Sequence, residues 1–105
     1  MTIQKSFKNG RLTLFFSGEL DHHGAKQAIK RLDTLIDEHL PRSCVVDLSG
    51  LSFMDSSGIA VILKVYKRMS EMRGNVIVEN VPAQPLRVID ASGIERIIKI
   101  TATAK

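Results

Sequence analysis

The apolar side chains of this 105-residue chain change their spacing repeatedly, from that of a strand to that of a helix and back. Between Leu12 and Phe16 they recur at every second position, which predicts a strand with one buried face. The dipeptide Asn9-Gly10 precedes this segment and is typical of a two-residue hairpin turn. We therefore expect Thr2–Lys8 to pair antiparallel with the strand that follows it.

The next segment has helical spacing and begins near Gly24. Asp21 is a natural N-cap for this helix, and Pro41 ends it. The stripe predicted to be buried comprises Ala25, Ala28, Ile29, Leu32, Leu35, Ile36 and Leu40. The β-branched run Cys44–Leu48 then predicts an interior strand, on which Cys44 is a small buried residue with no cysteine to pair with.

A second helix is predicted to begin near Ser56 and to stop at Gly74. Its expected buried stripe is Ile59, Ile62, Leu63, Tyr66 and Met69. Three shorter elements follow: a strand at 76–78, a helix at 82–91 that ends at Gly93, and a strand at 97–100.

This order of elements predicts an α/β fold in which residues 1–105 form one domain. The sheet is expected to be mixed, with an N-terminal hairpin and flanking helices. If the later strands are parallel, the turns at 18–21, 55–58 and 81–83 all follow the carboxyl ends of strands. Open α/β sheets place their binding sites at that edge, so we expect the functional residues there.

Composition narrows the classes of function. The 15 Lys and Arg and 11 Asp and Glu give a net charge of +4, but both signs are scattered, and there is no cluster of aromatic residues for stacking bases. We therefore expect no direct binding of nucleic acid. The apolar runs are too short to span a bilayer, the N-terminus lacks a signal core, and a single cysteine fits a reducing cytoplasm.

The segment 51–58 joins an interior strand to a helix and places two serines next to a carboxylate. In one interpretation, Asp55 or Ser56 only caps the helix. In the other, a serine is phosphorylated, and the phosphate joins Asp55 and Asp21 in an acidic cluster that a partner fitted to the neutral edge rejects. The residues alone do not choose between Ser56 and Ser57 as the acceptor.

Several motifs together carry a resemblance to a known family: GELDHH at 18–23, LSFMDSSG at 51–58, SGI at 92–94 and the pair of isoleucines at 97–98. Over residues 12–100 the chain resembles the STAS-domain anti-sigma factor antagonists, most closely those of the stage II sporulation protein AA type. The resemblance implies a single STAS domain that regulates transcription, with a role in sporulation favoured over a general stress response.

In such a partner-switching cycle, the unphosphorylated antagonist binds an anti-sigma factor that is also a serine kinase, and the sigma factor is released. Phosphorylation ends the binding, and a PP2C-type phosphatase restores it. The resemblance assigns the phosphoacceptor to Ser56, the neighbouring acidic residues to Asp55 and Asp21, and the rest of the loop to Ser57 and Gly58. It implies a monomeric binding protein that is neither an enzyme nor dependent on a cofactor.

Met54 precedes this loop and is either a core residue or a soft, adaptable contact for the partner; we include it in the expected partner-binding set. The alternative function is a STAS scaffold or stressosome-like interaction domain that does not control a sigma factor. Family members usually continue into a C-terminal helix. Residues 101–105 are too few for a stable helix, so we expect that helix to be short or absent.

Other functions have less support. His22, His23 and His39 do not form a recognisable zinc-ligand spacing, so no metal site is expected. A Ser-His-Asp hydrolase built on Ser56 would lack the Gly-x-Ser-x-Gly turn, and no phosphate-binding glycine motif supports nucleotide binding.

Overall fold

The computed structural model describes residues 1–103, which form a five-stranded mixed sheet and three α-helices. The elements are β1 (Thr2–Lys8), β2 (Arg11–Leu20), α1 (His22–His39), β3 (Ser43–Met54), α2 (Ser57–Glu71), β4 (Asn75–Val81), α3 (Ala83–Ser92), a 3-10 turn (Ile94–Arg96) and β5 (Lys99–Ala102). The strands lie in chain order; β1 is antiparallel to β2, and every later pair is parallel. The predicted α/β class and mixed sheet are confirmed.

The N-terminal hairpin has the turn that its sequence predicts. Asn9 and Gly10 have φ angles of 53° and 81°, the left-handed pair that a type I′ turn requires. The carbonyl oxygen of Gly10 also accepts hydrogen bonds from the N–H groups of Arg42, at 2.8 Å, and Ser43, at 3.3 Å. The turn is therefore attached to the start of β3, at the end of the sheet opposite the predicted site.

Helix α1 begins and ends near the residues that the sequence indicates. Asp21 is the N-cap, and most of the predicted stripe is buried. The expectation for Leu40 is wrong, because 68% of this residue is exposed. Leu40 has a left-handed conformation (φ 45°) that ends the helix before Pro41, and its side chain no longer follows the buried stripe.

The buried face of α2 matches the predicted one only in part, with Ile59 and Tyr66 half-buried against the core. Ile62 and Met69 are buried as expected, but Val61 and Val65 complete the core and Leu63 is 37% exposed. The cause is the unbroken apolar run at 59–63, because such a run fits more than one helical stripe. Packing against the sheet, which the spacing does not contain, selects the face.

An ion-pair network joins the two long helices. Arg68 of α2 donates to Asp33 of α1 at 2.6 Å and also to Asp37. The hydrogen bond with Asp37 is the main cause that raises the pKa of Arg68, and the one with Asp33 adds to it. The network crosses the exposed side of the helix pair, while apolar residues fill the space between the helices and the sheet.

Asp47 is the buried charged residue of β3, and its carboxylate is fully partnered. Oδ1 accepts from the backbone N–H of Ser49 at 2.9 Å and from its hydroxyl at 2.6 Å, and Oδ2 accepts from Nδ2 of Asn80 at 2.9 Å. Burial raises the pKa of Asp47, but these hydrogen bonds outweigh it, and the net pKa is lowered. Asp47 thereby links β3 to β4 where their ladder ends.

Both ends of the described chain lie near the carboxyl ends of the parallel strands. The backbone of Met1 lies against Gly18 of β2, and the N–H of Thr103 donates to the carbonyl oxygen of Val81 at 3.0 Å. No helix follows β5 within the described residues, and positions 104 and 105 lie outside them. None of the helices between residues 1 and 103 combines the length and the hydropathy that a bilayer span requires.

Candidate functional site

The site is built where β2 and β3 end side by side. Leu20 and Met54 are register partners in this parallel pair, and the N–H of Asp55 donates to the carbonyl oxygen of Leu20 at 3.3 Å. Asp21 directly follows β2, and Asp55 directly follows β3. The structure therefore brings these two predicted site residues to the same edge of the sheet.

Asp21 is fixed by its capping role. Its Oδ1 accepts from the N–H of Gly24 at 2.8 Å, and this hydrogen bond is the main cause of a lowered pKa for Asp21. The carboxylate is therefore charged at neutral pH. His23 contributes a smaller effect in the same direction.

At the start of α2, the cap is made by Asp55 and not by Ser56. Oδ1 of Asp55 accepts from the N–H of Ser57 at 2.8 Å, whereas Ser56 has helical φ and ψ angles of −63° and −18° and makes no side-chain capping bond. Ser56 is exposed and Ser57 is half-buried. The hydroxyl of Ser56 is thus the more accessible of the two.

Three consecutive amide donors at the start of α2 are occupied. Besides the bond from Ser57 to Asp55, the N–H of Gly58 donates to the carbonyl oxygen of Asp55 at 3.0 Å, and that of Ile59 donates to the carbonyl oxygen of Ser56 at 3.1 Å. The turn is thus closed by its own carbonyl and carboxylate oxygens.

Met54 and Gly58 lie beneath this surface. Met54 is completely buried, so the prediction that it is an exposed contact for a partner is wrong. A Cβ on Gly58 would lie 2.4 Å from Cγ and 2.6 Å from Sδ of Met54, so the glycine allows α2 to begin directly over this side chain. Phe53, which strand alternation directs to the other side, is 39% exposed.

Gln84, in the first turn of α3, is a site residue that sequence reasoning missed. Its Oε1 accepts from the N–H of Met54 at 2.8 Å, and its Nε2 donates to the carbonyl oxygen of Met54 at 2.8 Å. The end of β3 is thus held by α3 as well as by β2. The signal that could have identified Gln84 is its position in the sequence, because it directly follows the turn at 81–83, which was predicted to lie at this edge of the sheet.

A groove of about 520 Å³ separates the start of α2 from α3. We call it the α2–α3 groove; it is lined by Ser56, Ile59, Gln84, Arg87, Val88, Ala91 and Ser92. Positions 84, 87, 88 and 91 follow helical spacing and form one stripe of α3. The lining is mostly apolar, with the hydroxyl of Ser56 and the guanidinium of Arg87 among its few polar groups.

The three histidines lie at the two ends of α1. His22 and His23 are exposed in the first turn of α1. His39 is the last residue of that helix; its ring stacks on Phe7 with 4.6 Å between centroids, and its Nε2 accepts from Nζ of Lys5 at 3.1 Å. Within residues 1–103 no three His, Cys, Asp or Glu side chains are grouped as metal ligands would be.

Comparison with known proteins identifies the family of the chain and several similar proteins. The STAS domain family matches residues 2–105. An anti-sigma F factor antagonist of Paenibacillus polymyxa is 35% identical over 100 residues, which cover 95% of this chain and 86% of the relative. The solved structure of the anti-sigma factor antagonist SpoIIAA in its unphosphorylated form is 25% identical, with a TM-score of 0.71 and coverage of 99% of this chain and 90% of that one. The phosphorylated form of the Bacillus cell fate determinant SpoIIAA is 27% identical, with a TM-score of 0.70 and coverage of 94% and 90%.

Proposed function

The chain belongs to the STAS domain family, and from that membership we propose that it is an anti-sigma factor antagonist. The names of its relatives support this proposal, since the match in Paenibacillus polymyxa and a second one in Lysinibacillus sphaericus, at 32% identity, are both anti-sigma F factor antagonists. The protein acts by binding another protein and catalyses no reaction of its own. We place it in the cytoplasm as a monomer and favour a role in sporulation.

In this proposal the unphosphorylated protein binds an anti-sigma factor that is also a serine kinase, and the sigma factor is released. Phosphorylation of Ser56 ends the binding, and a PP2C-type phosphatase restores it. The observation that carries the proposal is the state of Ser56: this N-cap residue, just before α2, has an exposed side chain that makes no capping bond. The existence of SpoIIAA in a phosphorylated and an unphosphorylated form supports a modification in this group of proteins.

Ser56 is a better acceptor than Ser57 for a physical reason. A kinase has to reach the hydroxyl and align it with the γ-phosphate of ATP, which favours an exposed side chain. Ser57 is half-buried, and its backbone is bonded to Asp55. The same hydrogen bond restrains the loop next to Ser56.

Electrostatics explains how one phosphate would abolish binding while the fold survives. A phosphoserine adds about −1.5 to −2 charges, and the start of a helix favours negative charge by roughly 0.3–1 kcal/mol. Asp21 and Asp55 lie at the same edge, so the modified surface becomes strongly acidic. A partner fitted to the unmodified edge then meets like charge or unpaired groups.

We propose that the partner contacts the edge formed by Asp21, Asp55, Ser56 and Ser57, of which Ser56 is exposed and the other three are half-buried. Gly58 lies under this edge and supports it by close packing with Met54. Phe53 is exposed beside this edge, and we propose that it, and not the buried Met54, is the apolar contact for the partner.

The first experiment measures intact mass after incubation with the cognate anti-sigma kinase and ATP. A gain of about 80 Da is expected on the wild-type protein and on Ser57→Ala, and no gain on Ser56→Ala. A phosphate retained by Ser56→Ala and absent from Ser57→Ala would move the site to Ser57. If a kinase that is active on another antagonist phosphorylates none of the three proteins, the scaffold alternative is favoured.

The second experiment measures the affinity for the anti-sigma factor. Ser56→Ala should bind it and remain insensitive to ATP, whereas Ser56→Asp should fold normally and bind far more weakly. Equal affinities of these two variants would contradict the mechanism. Sizing chromatography of both variants tests the expected monomer.

A further inference from the structure

Arg87 presents a free cation in the same groove as Ser56. It is exposed on α3, and every ion pair within 4.0 Å among residues 1–103 involves Arg68 instead. Asp90, three residues further along α3, makes no such pair with Arg87. The guanidinium is therefore available to an anion that enters the α2–α3 groove.

The position of Arg87 relative to Ser56 is set by the bonds of Gln84. Gln84 is hydrogen-bonded to both backbone polar groups of Met54, at 2.8 Å each. Ser56 follows Met54 by two residues. Arg87 follows Gln84 by three residues and so lies on the same side of α3. Ser56 and Arg87 are each only a few residues from the Gln84–Met54 hydrogen bonds, and both side chains line the same groove.

A phosphate on Ser56 would find the next three amides of the chain already occupied. The N–H groups of Ser57, Gly58 and Ile59 are bonded to oxygens of Asp55 and Ser56. Other donors are needed for the phosphate oxygens. Arginine meets this need well, because its planar guanidinium forms paired, charge-assisted hydrogen bonds to a phosphate.

We propose that Arg87 binds the phosphate on Ser56 of the same chain and so lays the modified side chain across the α2–α3 groove. This inference rests on the proposed phosphorylation of Ser56. The ion pair covers the apolar part of the groove formed by Ile59 and Val88, which the unmodified protein leaves open. Phosphorylation therefore changes the shape and the hydrophobicity of the surface beside Ser56, in addition to its charge.

The test installs phosphoserine at position 56 genetically, so that no kinase is required. A ³¹P NMR titration then gives the second pKa of the phosphate in three backgrounds: the otherwise unchanged chain, Arg87→Gln, and Arg31→Gln, which removes an exposed arginine from α1. A neighbouring cation favours the dianion, so we expect this pKa to rise by about 0.5 unit in Arg87→Gln and to stay unchanged in Arg31→Gln. Equal pKa values in all three proteins would overturn the proposal.

Methyl NMR tests whether the groove is covered. Installed phosphoserine should shift the methyl signals of Ile59 and Val88, and the shift should be lost in Arg87→Gln but kept in Arg31→Gln. A pKa that responds to Arg87 with methyl signals that do not move would refute the covering. Circular dichroism of each variant confirms that the fold is retained.

The outcomes separate this inference from the proposed function. If the ion pair forms but the anti-sigma kinase does not modify Ser56, the phosphorylation cycle fails while the ion pair stands. If the kinase modifies Ser56 but the second pKa of the phosphate does not depend on Arg87, only the proposed ion pair is refuted.

Discussion

Replacing Gly58 by alanine tests how closely α2 begins over the end of β3. The new Cβ would lie 2.4 Å from Cγ and 2.6 Å from Sδ of Met54, and 3.2 Å from Cδ2 of Leu20. Carbon atoms in favourable contact are about 3.5–4.0 Å apart, so Met54 would have to move by about 1 Å. Met54 is completely buried, so its movement would displace other close-packed core residues.

The expected loss of stability follows from two opposing effects. Overpacking a buried site costs about 1–3 kcal/mol. Alanine is favoured over glycine by about 0.8–1.0 kcal/mol within a helix, and less than that in the first turn. We therefore expect Gly58→Ala to lower the free energy of unfolding by about 1–2 kcal/mol.

Urea unfolding of a double-mutant cycle identifies the contact. Met54→Ala alone removes the clashing atoms and should cost about 2–5 kcal/mol. In the double variant the new methyl group fills part of the cavity, so the loss should be smaller than the sum by about 1–2 kcal/mol. The control cycle combines Gly58→Ala with Met69→Ala, a buried methionine near the other end of α2, and should be additive. Additivity within about 0.5 kcal/mol in the Met54 cycle would refute the reasoning.

Three further predictions concern residues that hold the helices and the sheet together. Gln84→Ala removes both hydrogen bonds to the backbone of Met54 and should lower the free energy of unfolding in urea by about 1–3 kcal/mol; an unchanged value would show that α3 is held by other contacts. Arg68→Ala should cost about 1 kcal/mol at low salt and less at high salt, whereas Lys67→Ala should cost nothing measurable. Because the pKa of Asp47 is lowered on folding, its stabilising contribution is present above the unfolded pKa of about 3.9 and is lost as pH falls through the lower folded pKa. Stability measured across this range should depend less on pH in Asp47→Asn, and an unchanged slope would contradict the assignment.

Local features made the hairpin and the first helix predictable. Asn9-Gly10 specifies its turn through two left-handed residues, and Asp21 caps α1 through a hydrogen bond only three residues away. The buried face of α2 was not predictable in the same way, because the apolar run at 59–63 fits several stripes. Only the position of the sheet selects Val61 and Val65 as core residues.

The features of the site also differ in whether local sequence or distant contacts determine them. The acidic cap and the exposed serine lie within three consecutive residues, and their geometry follows from the local sequence at 55–57. Gln84 contacts Met54 across 30 residues of chain, and Arg87 reaches the groove only because α3 is anchored there. Strand alternation showed that one of Phe53 and Met54 is buried, but it did not show which one.

The position of the chain ends has a practical consequence for every binding assay suggested above. Met1 lies against Gly18, and Thr103 is bonded to Val81, so both ends of the described chain emerge at the edge that carries Ser56. An affinity tag, a fluorophore or a sensor surface attached at either end would compete with the partner for space. The Asn9-Gly10 turn, at the opposite end of the sheet, is the better attachment point.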